Sequence, residues 1–319
     1  MLGPAQLAVL SALGAAAVAV PVAAWRRRAR PLGWPRRRTK GLPVPDKFFR
    51  SVLQGEPREL PKIDTSVAHI ARVYDYWLGG KDNFAVDREV GQRALEAHPE
   101  TVLSVQANRR FLARAVRHLA AVEGVRQFLD VGTGLPSANN THEVAQAVAP
   151  DARVLYVDND PIVLAHARAL LTSSPEGETA YLDADIKDTP EILAGAAQVL
   201  DLSQPVGVML VAVLHMLRDA DDPQAVVDRL MAAVPAGSFL VISHLASDVQ
   251  QEAMAEMGRR LNESMTQQFA MRSRAQVTAF FDGLTLLDPG VVLTHQWRPG
   301  SAAEAATPGV LWAGVARKD

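Results

Sequence analysis

From residue 127 onward the chain alternates two hydrophobic rhythms. Short runs that are apolar at nearly every position read as strands, and the longer segments between them as helices. Strands are predicted at Gln127–Val131, Arg153–Val157, Thr179–Asp183, Gly207–Val211 and Phe239–Ser243. Two weaker ones are expected at Gly290–Thr294 and Val310–Ala316. Strands alternating with helices argue for a parallel sheet with right-handed crossovers. Ahead of this region the pattern is helical. Val67, Ile70, Val73, Tyr74 and Trp77 recur at helical spacing, opened by the capping residues Asp64-Thr65-Ser66 and closed by Gly79-Gly80. Val86 to Ala97 and Leu103 to Ala120 read as two further amphipathic helices. No internal repeat is evident.

The first strand carries the most informative motif. FLDVGTGLPS (Phe128 to Ser137) ends an apolar strand in an acid and a D-x-G-x-G turn. Gly132 and Gly134 let the backbone turn tightly and approach a ligand. Ligands of open α/β sheets lie outside the carboxyl ends of the strands. A dinucleotide fingerprint would have a third small residue for close helix packing, where this chain has Pro136-Ser137. Asp130, two residues before the first glycine, would repel a pyrophosphate but suits a cation. S-adenosylmethionine, with an ammonium and a sulfonium, fits better than a nicotinamide dinucleotide.

The next strands continue the theme. VLYVDNDP (Val154 to Pro161) ends in Asp158, placed to accept both ribose hydroxyls, with Asn159 beside it. A cap of the following helix is the competing role, which Asn159 or Asp160 before Pro161 also suits. YLDADIKD (Tyr181 to Asp188) offers Asp185 to the adenine amine and the Ile186 N–H to the ring. Asp183 and Asp188 compete for that place, and a solvated loop acid is the plainer alternative.

Three further stretches carry a resemblance: DTSVAHIARVYDYWLGGKDNFAVDRE (Asp64 to Glu89), QANRRFLARAVRHLA (Gln106 to Ala120) and LPSANNTHEVAQ (Leu135 to Gln146). With the glycine turn, the chain from about Ile63 to its end resembles an actinobacterial S-adenosylmethionine-dependent methyltransferase family first catalogued as a domain of unknown function. The YDYWLGGKDNF stretch is not general to methyltransferases. The resemblance implies the class I methyltransferase fold, a Rossmann-like seven-stranded sheet with helices on both faces and a final antiparallel hairpin, plus an N-terminal helical addition. It implies that Asp130, Gly132, Thr133 and Gly134 surround the methionine part of S-adenosyl-L-methionine. Asp158 would hold the ribose, Asp185 and Ile186 the adenine, and Val213 and Leu214 would pass under the cofactor. It implies no acceptor.

Composition bounds the function. The 319 residues are ample for a catalytic domain with a helical addition, and the 48% hydrophobic content argues against global disorder. The absence of cysteine excludes disulfides, thiolate catalysis and Cys-based zinc sites. Histidines and acids show no tight metal-binding spacing such as H-E-x-x-H, so no metal is expected. Eight basic residues between Arg26 and Lys40 precede the first acid, Asp46; the remainder has 25 basic against 35 acidic residues. A domain that acidic is a poor partner for a nucleic-acid backbone, so a small-molecule acceptor is expected.

Three regions follow: 1–62, an apolar segment and a basic Pro/Arg-rich linker; 63–120, a helical cap; 121–319, the cofactor domain. Leu2 to Trp25 is uncharged and long enough to span a bilayer, and the basic cluster after it would keep the rest in the cytoplasm. The same Ala, Arg and Pro bias equally fits translated upstream sequence. No methionine lies between Met1 and Met209, so a shorter chain would start at a non-AUG codon such as Val44 or Val52.

Two sets of residues are candidates for meeting the acceptor. His215 and His244 follow the fourth and fifth strands, where a histidine could take a proton during methyl transfer; packing beside the cofactor is the alternative for each. In the cap, Tyr74, Gly80, Asp82 and Asn83 are expected to lie where the loop after Gly80 closes over the cofactor, Asp82 or Asn83 touching it or the acceptor. Core packing competes for Tyr74. A cofactor-sensing protein without catalysis and a nicotinamide-dependent oxidoreductase are the rival classes.

Overall fold

The computed structural model describes residues 64–170 and 173–319. The apolar N-terminal segment, the basic linker and the proposed start sites lie outside these residues. Among the described residues no helix is long and apolar enough to cross a membrane.

In chain order the elements are α1 (Ile70–Trp77), α2 (Ala85–Ala97), α3 (Thr101–Ala121), β1 (Gln127–Val131), α4 (Thr141–Val148), β2 (Arg153–Asp158), α5 (Pro161–Leu170) and β3 (Glu178–Asp183). Next come α6 (Thr189–Val199), β4 (Gly207–Val211), α7 (Pro223–Ala232), β5 (Phe239–Leu245), α8 (Gln251–Ser264) and α9 (Arg274–Ala279). The chain closes with β6 (Thr285–Leu286), β7 (Val292–Leu293), α10 (Ala302–Ala305) and β8 (Leu311–Arg317).

The strand order is β3-β2-β1-β4-β5-β8-β6, with β7 also pairing β8. The first five strands are parallel and β8 runs antiparallel to β5, β6 and β7. The sheet therefore has seven positions, as the class I fold requires, but eight strands. The outermost position is split between β6 and β7, two residues each, on either side of a turn through Pro289. β6 gave no sequence signal, because two residues carry no periodicity.

β1 is buried on both faces, and Phe128, Leu129 and Val131 supply its apolar side chains. Leu129 and Val131 face a layer containing Ile192 of α6, Val226 and Leu230 of α7 and Val277 of α9. Phe128 faces the opposite layer, with Phe111 and Leu112 of α3, Val144 of α4 and Ile162 of α5. Asp130, alternating with Leu129, is buried on this second face. The strand order reverses between β1 and β4, and a cleft opens at such a switch point.

A third apolar cluster builds the cap. Val73 and Trp77 of α1 and Val90 and Ala94 of α2 pack with Met254, Met257 and Leu261 of α8. The cap thus draws on a helix inserted after β5, whereas most of α3 lies against the sheet. α1 also starts later than its pattern suggests. Asp64 accepts hydrogen bonds from the Ser66 amide (2.8 Å) and hydroxyl (2.6 Å), forming a local turn. The helix begins after His69, and Val67 stays outside it, exposed. Gly79, with φ of 79°, ends α1 as expected.

Candidate active site

A cleft of about 390 Å³ lies at the carboxyl ends of β1 to β4, under α1 and the loop that follows α8. The turn after β1 forms its floor. Gly132 and Gly134 have φ of 74° and 66°, the left-handed region that favours glycine. The Gly132 amide donates to Val157 O at 2.8 Å. A Cβ on Gly132 would come within 2.2 Å of Val213 Cγ2. Both conformation and space therefore demand glycine there.

Three carboxylates line the cleft at the ends of successive strands. Asp130 accepts the Thr141 hydroxyl at 2.6 Å. Burial pushes its carboxyl up to about 6, and the Thr141 hydrogen bond and nearby Arg109 offset this only in part. Asp158 accepts the Gly134 amide (2.8 Å) and the Asp160 amide (2.9 Å), so it fixes the shape of both turns. Burial raises its carboxyl too. Asp185 accepts the Lys187 amide at 2.9 Å and the Asn159 side chain at 3.3 Å. Of its rivals, Asp188 caps α6 through the Glu191 amide at 3.2 Å, and Asp183 is exposed at the end of β3. Neither lines the cleft, whereas Asp185, Ile186, Asn159, Thr133 and Val213 do.

Asp160 takes the cap role. Its Oδ1 accepts the Ile162 amide at 3.0 Å, and its Oδ2 lies 2.9 Å from His69 Nδ1 and 3.7 Å from Arg72 Nε. Burial opposes its ionisation, but His69 and Arg72 hold it below the usual carboxylate range. The contact ties the start of α1 to the turn that carries Asp158.

Leu214 does not reach the cleft; it is buried beneath it, packed with Leu217. His215 and His244 are also outside the cleft lining. His244 Nε2 is 2.9 Å from Arg272 Nη1 and its Nδ1 is 2.9 Å from Leu245 O, so both ring nitrogens are engaged. Burial, with Arg272 nearby, pushes its imidazole down to about 3. Arg272 in turn donates to Leu217 O at 3.0 Å and pairs with Asp219 at 2.6 Å, fastening the loop after β4. The strand-end expectation for His244 therefore gives way to a structural one. His215 borders a separate small chamber.

In the cap, Tyr74 lines the cleft. Its hydroxyl donates to Val105 O (3.2 Å) and accepts from Asn108 Nδ2 (3.0 Å). Asn108 Oδ1 accepts the Ser243 hydroxyl at 2.6 Å, linking cap, α3 and β5. Gly80, Asp82 and Asn83 do not line the cleft, against the expected contact. Asn83 Nδ2 (2.7 Å) and the Asp82 amide (2.9 Å) instead donate to Asp75 Oδ2, and Asp75 is the lining residue. Gly80 lies so near that a Cβ would meet Asp75 Oδ1 at 1.9 Å.

His69, Asn108, Arg109 and the loop Thr266–Gln268 line the cleft without a sequence signal. Arg109 sits in an Arg-Arg pair on a helix, which reads as a solvated face. Its Nε is nevertheless enclosed and has no hydrogen-bond partner among the described residues. The enclosed Gln267 Oε1 is likewise unpartnered.

Comparison with known proteins gives consistent results. A family model described as S-adenosyl methyltransferase matches residues 56–319. The chain is similar to a DUF574 family protein from Streptomyces avermitilis MA-4680, with 41% identity and a TM-score of 0.78 over 81% of this chain and 100% of that one. It is also similar to a protein from Thermobifida fusca YX described as a candidate methyltransferase, with 39% identity and a TM-score of 0.75 over 81% and 98% of the two chains. No curated protein matches it.

Proposed function

The chain belongs to the S-adenosyl methyltransferase family, and from that premise we propose that it methylates an oxygen or nitrogen of a small-molecule acceptor. It is an S-adenosylmethionine-dependent methyltransferase, and the residues around the cleft fit that cofactor. The glycine cradle that a Cβ would fill, the acids at three successive strand ends and the enclosed, unpartnered Arg109 Nε form one binding surface. The juxtaposition of Asp130, Asp158 and Asp185 around one glycine turn carries the reading.

When bound, the cofactor supplies an electrophilic methyl on a sulfonium. Asp158 would accept the ribose hydroxyls, and Asp185 with the Ile186 amide would take the adenine edge. Asp130 would face the ammonium and Arg109 the carboxylate of the amino-acid end. The cap excludes water, and α1 and the loop after α8 align the acceptor. With His244 engaged by Arg272, alignment rather than a histidine base at that position carries the catalysis.

The test of acceptor class is incubation with methyl-labelled cofactor and host extract. Label in the small-molecule fraction is expected; label confined to protein or nucleic acid contradicts the proposal. Arg109→Ala is expected to weaken S-adenosylhomocysteine binding roughly tenfold or more, the worth of a charge-assisted hydrogen bond. It leaves 5′-methylthioadenosine, which lacks the amino-acid end, unaffected. Calorimetric titration with both ligands checks this.

Asp130 gives a pH dependence. Its carboxyl is raised to about 6, so it loses its charge as pH falls through 6 and no longer attracts an ammonium. Affinity for S-adenosylhomocysteine should fall about tenfold for each unit below that value. Asp130→Asn should bind weakly with a flattened profile. The stability effect has the opposite sign. A raised carboxyl favours the fold below about 4 and loses that contribution as pH rises through 6. Asp130→Asn should therefore melt higher than the wild type at pH 7 when no ligand is bound.

A further inference from the structure

Behind the cleft lies a chamber of about 40 Å³ that the cofactor reading does not use. Trp77, Val105, Met257, Leu261, Phe269 and Leu311 give it an apolar lining, and no charged side chain among the described residues borders it. Ile70, Tyr74 and Ala212 line both the chamber and the cleft, so the two spaces adjoin at these residues. Ala212 has φ of 58°, although it carries a Cβ. That conformation is strained for a residue with a side chain. Its amide donates to Ser243 O at 3.0 Å, which holds the strained residue in place.

One polar side chain bordering the chamber, His215, carries an atom without a hydrogen-bond partner among the described residues. His215 is 5% exposed, and its Nδ1 is enclosed without a hydrogen-bond partner. The ring is stacked on Phe269 at 5.9 Å and stands edge-on to His244 at 5.6 Å. Leaving such an atom unpaired is unfavourable. The other polar neighbours are occupied, since the Thr101 hydroxyl donates to His98 O (2.7 Å) and the Ser104 hydroxyl to Glu100 O (3.2 Å). Burial, together with His244 and Arg272, keeps the imidazole neutral. The complement to these surroundings is an apolar group bearing one hydrogen-bonding atom.

The charges around the cleft stand elsewhere. Lys187 and Arg218 pair with Asp221 beside the turn after β3. Arg109 and Asp130 mark the methionine end, and Asp75 is held by Asp82 and Asn83. An ionised group entering the chamber would be desolvated with no counter-charge.

We infer that the acceptor is an uncharged small molecule whose far end, apolar with one hydrogen-bonding atom, enters this chamber and meets His215. The inference rests on the reading of the cleft as a methyl-transfer site. At 40 Å³ the chamber has room for a methyl-sized or water-sized group. It therefore takes the tip of the acceptor, while the nucleophile stays in the cleft.

The test uses the full chain saturated with S-adenosylhomocysteine and titrated with four ring probes: phenol, toluene, benzoate and benzylammonium. Phenol should bind about tenfold or more tighter than either ion, and tighter than toluene. Ser104→Leu, which fills the chamber, should weaken phenol about tenfold and leave S-adenosylhomocysteine affinity unchanged. His215→Phe should erase the preference for phenol over toluene. Equal binding of the charged probes, or an unchanged phenol preference in His215→Phe, would overturn the inference. So would undiminished phenol binding in a Ser104→Leu protein that still binds S-adenosylhomocysteine. If Ser104→Leu fails to fold, the His215→Phe comparison decides alone. Failure of the wild type to bind S-adenosylhomocysteine would instead remove the cofactor reading.

Discussion

Asp158→Ala is expected to lower affinity for S-adenosylhomocysteine at least a hundredfold. Asp158 lines the cleft at the end of β2, where a ribose would lie. Two hydrogen bonds from ribose hydroxyls to an ionised acid contribute about 1.5–3 kcal/mol each. Their joint loss spans two decades or more in dissociation constant. The side chain also shapes the site, because its two oxygens accept the Gly134 and Asp160 amides. The alanine variant therefore loosens the glycine turn and the start of α5 as well. Asp158→Asn is the milder form of the same change. An amide keeps one acceptor oxygen but turns a donor toward one of the two amides, so it too should bind poorly. Calorimetric titration of both variants checks the prediction. Near-wild-type affinity in Asp158→Ala would remove Asp158 from the binding surface.

Gly132→Ala is expected to destabilise the fold by about 2–5 kcal/mol and to abolish cofactor binding. Two costs combine. The residue has φ of 74°, a conformation costing an alanine roughly 1–2 kcal/mol. Its Cβ would also lie 2.2 Å from Val213 Cγ2 and 2.6 Å from Val213 Cβ, too near for rotation alone to relieve. Overpacking of this kind typically adds 1–3 kcal/mol. Gly134 supplies the control, with φ of 66° but nothing within 4 Å of an added Cβ. Gly134→Ala should show the conformational cost alone. Urea unfolding of the two variants measures the difference. Equal destabilisation would mean that the Val213 contact is not the deciding term.

The parallel half of the sheet was legible because strands buried on both faces are apolar at nearly every position. β1 to β5 appear within two residues of where the runs placed them. The acids at the ends of β1, β2 and β3 were legible for a related reason, since a polar residue closing an apolar run marks the end where a ligand can bind. The histidines show the limit of that reasoning. Position along the chain fixes the strand end but not which face a side chain takes. Ser243 reaches Asn108 on one face, and His244, the next residue, turns to Arg272 on the other.

The cap was only half legible for a different reason. α1 and α2 show their apolar faces in sequence, but their partner is α8, far along the chain at Gln251–Ser264. Nothing local in QEAMAEMGRRLNES distinguishes a cap helix from one packed on the sheet. Arg109 was hidden likewise, because a helix arginine acquires meaning only from what the fold brings to it. The loop after Gly80 is polar and follows a helix end, a pattern that also suits a ligand contact. Its polarity serves Asp75 instead.

The central claim is that Asp130, Asp158 and Asp185 read the three parts of one nucleoside cofactor. A crystal structure of the protein soaked with S-adenosylhomocysteine tests this most directly. The account predicts ribose hydroxyls on Asp158, the adenine edge on Asp185 and the Ile186 amide, and the ammonium facing Asp130. A ligand bound elsewhere, or one reversed so that adenine lies over Gly132 and Gly134, would contradict it.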